Sequence, residues 1–131
     1  MSRKVLVIED NEQNLYLVRF LLERSGFEVL AASDGPGGIE VARRATPDLI
    51  LLDIQLPGMD GHAVARELRR IPSLAGTPII AVTSYAMVGD RERCLEAGCT
   101  AYIEKPINPD TFLDEVVRYL AGPCETPEVG S

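Results

Sequence analysis

The chain has 131 residues, 46% of them hydrophobic and 25% charged, with a net charge of −7. That is enough for one domain with a full hydrophobic core, and the acidic balance argues against nucleic acid, whose phosphates select basic surfaces. No run approaches the ~20 apolar residues of a membrane span, and the first apolar run leads straight into charge as no signal peptide does, so a cytoplasmic protein with no membrane partner is expected.

The first strand is predicted at KVLVI (4–8), an apolar run that ends in two adjacent carboxylates, Glu9 and Asp10. Two like charges at a buried strand end repel each other and lose hydration, so a helix N-terminus or a cation must favour them there. A helix over 11–24 follows, with Leu15, Val18 and Leu22 as its core stripe and the glycine of SGF (25–27) closing it. Tyr16 and Phe20 lie on another side, beside Leu17. They suit either packing against the last helix or a docking surface for a partner's helices.

EVLAA (28–32) is the second strand, and Asp34 stands where the N-cap of a helix over 36–45 belongs. DGPGG (34–38) is glycine-rich but lacks both the phosphate-loop lysine and the dinucleotide spacing. DLILL (48–52) is the third strand and leads into Asp53. In the helix over 62–70, His62 falls in the first turn and is expected at the surface, and ARELRR (65–70) reads as a solvated face.

PIIAV (78–82) is the fourth strand, closing in VTS with Thr83 at its rim. A helix over 86–97 ends at the glycine of AGC (97–99). AYI (101–103) is the fifth strand and runs into EKPI, which carries Lys105. Asp110 is placed as the N-cap of a last helix over 109–120. The tail GPCETPEVGS (122–131) is expected to fray, leaving a domain over 1–121. Cys94, Cys99 and Cys124 fit neither a disulfide framework nor a CxxC metal site and read as free thiols.

Five strand–helix units imply an α/β fold with a parallel sheet. In a doubly wound sheet of order 2-1-3-4-5, strands 1 and 3 are neighbours at the switch point, where ligands bind beyond the carboxyl ends. Glu9, Asp10 and Asp53 should then meet in one cleft. Mg²⁺ suits them best, because it takes oxygen ligands and keeps several waters; Zn²⁺ would want His or Cys nearby. Asp10 also suits a helix cap, with Gln13 completing a capping box, though that leaves Glu9 and Asp53 unexplained. Thr83 and Lys105 would add a hydroxyl and an ammonium. Together these groups are what holding a phosphoryl group requires.

Read together, IEDN, LLDIQLPGMDG, AVTS and EKPI closely resemble the motifs of two-component response-regulator receiver domains, in order, from about Lys4 to Leu120. The short chain and EDNEQN look most like a stand-alone receiver of bacterial cell-cycle phosphorelays. The resemblance implies a flavodoxin-like doubly wound (βα)5 fold and a phospho-accepting protein that is not an enzyme. It implies Asp53 as phosphoacceptor. Glu9, Asp10, Asp53 and the Gln55 carbonyl would be the Mg²⁺ ligands, Thr83 and Tyr102 the switch pair, and Lys105 the phosphate-binding lysine before a cis proline.

Further implications concern partners. A sensor histidine kinase or histidine phosphotransfer protein would be the donor and another protein the target. The switching surface would include Tyr85, Arg91 and Tyr102, and the chain would be a monomer or a phosphorylation-dependent dimer. Gln55 and Tyr85 correspond to positions that tune attack by water, and a bulky Tyr85 would slow it. The rival readings are an aspartate-nucleophile phosphatase, which wants an acid where Gln55 stands, a non-phosphorylated adaptor of the same fold, and a mononucleotide binder, for which EDNEQN offers no phosphate cradle.

Overall fold

Side-chain alternation along the strands builds the molecule in three layers. In β1 (Lys4–Ile8), Val5 and Val7 point to one face of the sheet and Leu6 and Ile8 to the other. The same alternation runs through β3 (Leu49–Asp53) and β4 (Ile79–Thr83), whose residues are all buried. β2 (Glu28–Ala32) and β5 (Ala101–Glu104) are the half-exposed edges. All pairings are parallel and the order is β2-β1-β3-β4-β5, as the doubly wound reading requires. The computed structural model describes residues 3–56, 58, 60–83 and 89–121. The expectations for Tyr85, Cys124, the side chain of Arg91 and the tail 122–131 lie outside the described residues.

Helices cover both faces, two on one and three on the other. α1 (Glu12–Arg24) and α5 (Pro109–Ala121) pack on the Val5/Val7 side, where Leu22, Phe112 and Val116 are fully buried or nearly so. α2 (Gly35–Ala45), α3 (Gly61–Arg69) and α4 (Asp90–Glu96) take the other side, with Ala42, Val64, Leu68 and Cys94 in contact with Leu6, Ile50 and Ile79. A single 3-10 turn, Pro72–Leu74, leads from α3 into β4.

The local chemistry of the ends is legible in most places. Asp34 caps α2, accepting from Gly37 N at 2.7 Å. Gly26 and Gly98 follow their helices in the left-handed region, at φ 95° and 113°. Elsewhere the caps differ from expectation. Asn11, not Asp10, caps α1, its Oδ1 accepting from Asn14 N at 3.0 Å, and so the Asp10–Gln13 capping box does not form. Asn108, not Asp110, caps α5, accepting from Asp110 N at 2.9 Å. β3 and β4 each start one residue later than predicted. Asp48 instead clasps the edge of β1, accepting from Lys4 N through its carboxylate at 2.8 Å.

Two further expectations are corrected by packing, and one open alternative is narrowed by it. His62 is buried, at 5% exposure, with Nδ1 3.1 Å from Asp60 Oδ1 and Nε2 3.6 Å from Cys94 Sγ. It therefore pins the start of α3 to α4. Arg69 is not part of a solvated face: its guanidinium donates to Gly98 O at 2.8 Å, to Leu74 O at 2.9 Å and to Thr100 Oγ1 at 3.2 Å. Tyr16 is 73% exposed and Phe20 49%, so neither packs against α5; Leu17 does the packing on that side.

Candidate functional site

The carboxyl ends of β1, β3 and β5 share one parity of the pleat. Glu9 continues the alternation of Val5 and Val7, Asp53 that of Leu49 and Leu51, and Lys105 that of Ala101 and Ile103, all on the face covered by α1 and α5. Because β1 and β3 are adjacent, Glu9 and Asp53 meet although 44 residues separate them. Carboxylate oxygens of Glu9, Asp10 and Asp53 all lie within 4.8 Å of one another. Glu9 and Asp53 are buried, at 5% and 3% exposure, while Asp10 faces solvent.

Backbone and side-chain donors hold this cluster in place. Gln55 N donates to Asp53 Oδ1 at 2.9 Å, and Asn11 N donates to Glu9 Oε2 at 3.2 Å. The Lys105 ammonium stands 3.2 Å from Asp53 Oδ2 and 3.2 Å from Glu9 Oε1. Its position follows from the sheet: Lys105 N donates to Thr83 O at 2.7 Å, and the Lys105–Pro106 bond is cis. The turn after β3 closes on Gly61, whose N–H donates to Ile54 O at 3.2 Å; any side chain there would overlap the Ile54 backbone.

One lysine does not neutralise three carboxylates. Burial pushes the Glu9 carboxyl up to about 7, and the adjacent Asp53 acts in the same direction, against the opposing pull of the Asn11 N–H and Lys105. The donor set is all hard oxygen, and among the described residues no His or Cys joins it. It fits a divalent metal such as Mg²⁺.

Glu9, Asp10, Asp53, Gln55 and Lys105 line a single open cleft. Thr83 and Tyr102 do not line it. Thr83 ends β4, buried at 3% exposure and one residue beyond the Asp53–Val82 pairing. Tyr102, half-buried, pairs with Ala81 and packs on the sheet face of α2, α3 and α4, the face that the alternation of Ile79 and Ala81 gives to Thr83. Asn11 and Asn14 also line the cleft and were not singled out from the sequence. Their three-residue spacing, an N-cap and the residue whose N–H it accepts, was the available signal.

Comparison with known proteins gives a consistent result. Residues 5–117 match the response regulator receiver domain family. The chain is 44% identical over 120 residues to the polar-differentiation response regulators DivK of Brucella ovis and Brucella suis biovar 1, covering 92% of this chain and 98% of each relative. It is similar to the CheY-like receiver of Methanospirillum hungatei JF-1, at 30% identity and TM-score 0.86, covering 92% of this chain and 95% of that one. It is also similar to the receiver domain of a sensor histidine kinase from Pseudomonas aeruginosa PAO1, at 34% identity and TM-score 0.86, covering 93% and 100%. That structure has a magnesium ion coordinated in its active-site cleft.

Proposed function

The chain belongs to the response regulator receiver domains, non-enzymatic modules of two-component signalling that imply a histidine kinase partner, and from that membership we propose that it accepts a phosphoryl group on Asp53 and relays it as a change in its protein-binding surface. The observation that carries this reading is the meeting of three carboxylates and one ammonium in an open cleft, with Asp53 held by Gln55 N–H and Lys105.

A carboxylate oxygen of Asp53 attacks the phosphorus of a phosphohistidine on the donor. The new O–P bond forms as the P–N bond breaks, and the imidazole nitrogen leaves with the electron pair and takes up a proton. Glu9, Asp10, Asp53 and the Gln55 carbonyl would hold Mg²⁺, which when bound offsets negative charge on the phosphoryl oxygens. Lys105 adds a point charge to the same oxygens and gives up part of its contact with the carboxylates. The product is an acyl phosphate, labile enough to serve as a timed signal.

Readout falls to Thr83 and Tyr102. A phosphoryl oxygen on Asp53 recruits the Thr83 hydroxyl, and Tyr102, on the same sheet face, takes the space this leaves. The shift biases a pre-existing pair of states of the α4–β5–α5 surface. The donor is a sensor histidine kinase or a histidine phosphotransfer protein, the target a protein, the location the cytoplasm and the working unit residues 1–121.

The test is intact-mass measurement after incubation with acetyl phosphate, with and without Mg²⁺, for the wild type and Asp53→Asn. The gain of one phosphoryl group that needs both Mg²⁺ and Asp53 is expected. No gain under any condition, with the fold intact, would overturn the phospho-accepting reading and leave an adaptor that signals by binding alone.

A further inference from the structure

The C-terminal end of α4 is a Schellman cap. Gly98, at φ 113°, reverses the chain; its N–H donates to Leu95 O at 3.0 Å, and the Cys99 N–H donates to Cys94 O at 3.0 Å. In this cap the third-last helical residue meets the second residue beyond the cap, ordinarily as an apolar pair. Here both are cysteines, Cys94 and Cys99, buried at 1% and 6% exposure. The hydrogen bond between them keeps their Cα atoms within about 7 Å by backbone dimensions, and disulfides span roughly 4.4–6.8 Å. The two thiols also act on each other: burial, helped by Cys94, pushes the Cys99 thiol up to about 12, against the pull of Arg69.

One thiol of the pair has a base beside it. His62 Nε2 lies 3.6 Å from Cys94 Sγ, and Nδ1 lies 3.1 Å from Asp60 Oδ1. In the neutral ring, Asp60 accepts from the Nδ1 N–H and so leaves the Nε2 lone pair facing the thiol. Asp60, His62 and Cys94 thus form a carboxylate–imidazole–thiol series, the order that activates a cysteine as nucleophile. Cys99, held protonated by its burial, suits the second role in a dithiol reaction. None of these four residues lines the acidic cleft.

We infer that Cys94 and Cys99 are a dithiol site for oxidation by a hydroperoxide, with His62 as the base and Asp60 as its positioning residue. His62 takes the Cys94 proton, and the thiolate attacks one peroxide oxygen. The S–O bond forms as the O–O bond breaks, and the leaving hydroxide recovers the proton from His62 as water. Cys99 Sγ then displaces the oxygen of the Cys94 sulfenic acid: the S–S bond forms, the S–O bond breaks, and the Cys99 proton leaves with the hydroxide as a second water. Two thiols and one hydrogen peroxide become one disulfide and two waters, with two electrons passing from sulfur to oxygen. Hydrogen peroxide is little larger than water and enters at local openings of the seven-residue α4. The bond consumes the thiol that contacts His62 and so alters the link between α3 and α4. In a reducing cytoplasm such a bond is transient and reports an oxidant.

The test treats the full chain carrying Cys124→Ser, which removes the third cysteine, with hydrogen peroxide and then blocks remaining thiols with N-ethylmaleimide in urea. Trypsin cuts after Arg93, so one peptide holds both Cys94 and Cys99. From native protein that peptide should lose two hydrogens, take up no blocker and regain both thiols in dithiothreitol. Oxygen uptake without linkage, or linkage only when the peroxide is added in urea, would overturn the site. Cys99→Ala should stop at a Cys94 sulfenic acid that dimedone captures. Capture at Cys99 in Cys94→Ala, with none at Cys94 in Cys99→Ala, would overturn the order of attack. His62→Gln should slow oxidation about a hundredfold, while exchange of the Cys99 amide hydrogen, which reports opening of the cap, stays equal or becomes faster. Looser packing would speed both, and loss of the base slows oxidation alone. Oxidation of that variant at or above the original rate would overturn the role of His62. None of these readouts depends on phosphoryl transfer.

Discussion

Lys105 places its ammonium 3.2 Å from Asp53 Oδ2 across 52 residues of sequence, and it stands equally close to Glu9 Oε1. The lysine side chain is 14% exposed and the two carboxylates 5% or less, so water screens the contacts poorly. Lys105 is thus the protein's own counter-charge for a cluster that also fits a divalent ion.

Its removal separates those two roles. Breaking one side of a buried ion pair costs about 3 kcal/mol, and Lys105→Ala should lose stability on that order in urea unfolding without metal. Saturating Mg²⁺ should restore part of the loss by taking over the charge balance. Phosphoryl uptake should remain low, because the metal does not replace the lysine on the phosphoryl oxygens. Uptake at the wild-type rate would remove Lys105 from the chemistry.

At the metal site proposed for the cleft, Glu9 is where protons and metal would compete. Its carboxyl is pushed up to about 7, above the ordinary 4.5, so the folded protein holds a proton that the unfolded chain has already lost. The stability of the metal-free protein should therefore fall as pH rises from about 4.5 to about 7 and then level off, since the unfolded state binds fewer protons in that window. Mg²⁺ binding near pH 6 should release close to one proton, and above pH 8 almost none. Calorimetry in buffers of different ionisation heat reads the proton count directly. A count independent of pH would mean that Glu9 is already ionised in the fold.

Cysteine chemistry reports the integrity of the α3–α4 side. Burial, helped by the adjacent Cys94, pushes the Cys99 thiol up to about 12. At pH 8 its thiolate is then about one part in ten thousand, and only thiolate reacts. Cys94 and Cys99 should resist a disulfide reagent in the native protein and react on unfolding. His62→Ala removes a buried ring from between Asp60 and Cys94 and should cost about 2–3 kcal/mol. The same variant should speed reaction of both thiols. Unchanged reactivity would show that α4 is held without the histidine.

Phe20 distinguishes docking from packing. Its ring is half exposed, with the Arg24 guanidinium 5.4 Å from its centroid, and it lies one turn from the exposed Tyr16. Phe20→Ala should change stability by under ~1 kcal/mol, as surface substitutions do. Phosphoryl uptake from acetyl phosphate should be normal. Transfer from a phosphohistidine protein should slow several-fold if α1 is the docking surface. Equal rates from both donors would leave Phe20 without a role in docking.

Much of the architecture was legible because it is written in local periodicity. KVLVI, EVLAA and their successors announce strands by apolar runs of three or four residues, and Gly26 and Gly98 announce helix ends through the backbone conformation that glycine adopts easily. The carboxyl-end positions of Glu9, Asp10, Asp53 and Lys105 follow from the strand parse. Cap identity was less legible. Asp10 and Asn11, or Asn108 and Asp110, are near-equivalent by propensity, and which one caps depends on where the preceding strand releases the chain. At β1 that point is fixed by Glu9 N donating to Ala32 O in the next strand.

The order of elements, the acidic and basic groups at their ends, and the side of each helix that must be buried are all written in the chain's local pattern. These depend on chemistry between residues a few positions apart. It took the folded chain to bring Glu9, Asp53 and Lys105 into one cleft, to set His62 between two helices, and to clamp Arg69 against Gly98 and Thr100. The fold also left Tyr16 and Phe20 outside the core. A side chain's burial and counter-charges come from elements distant in sequence, and no local pattern states which of those elements will be its neighbour.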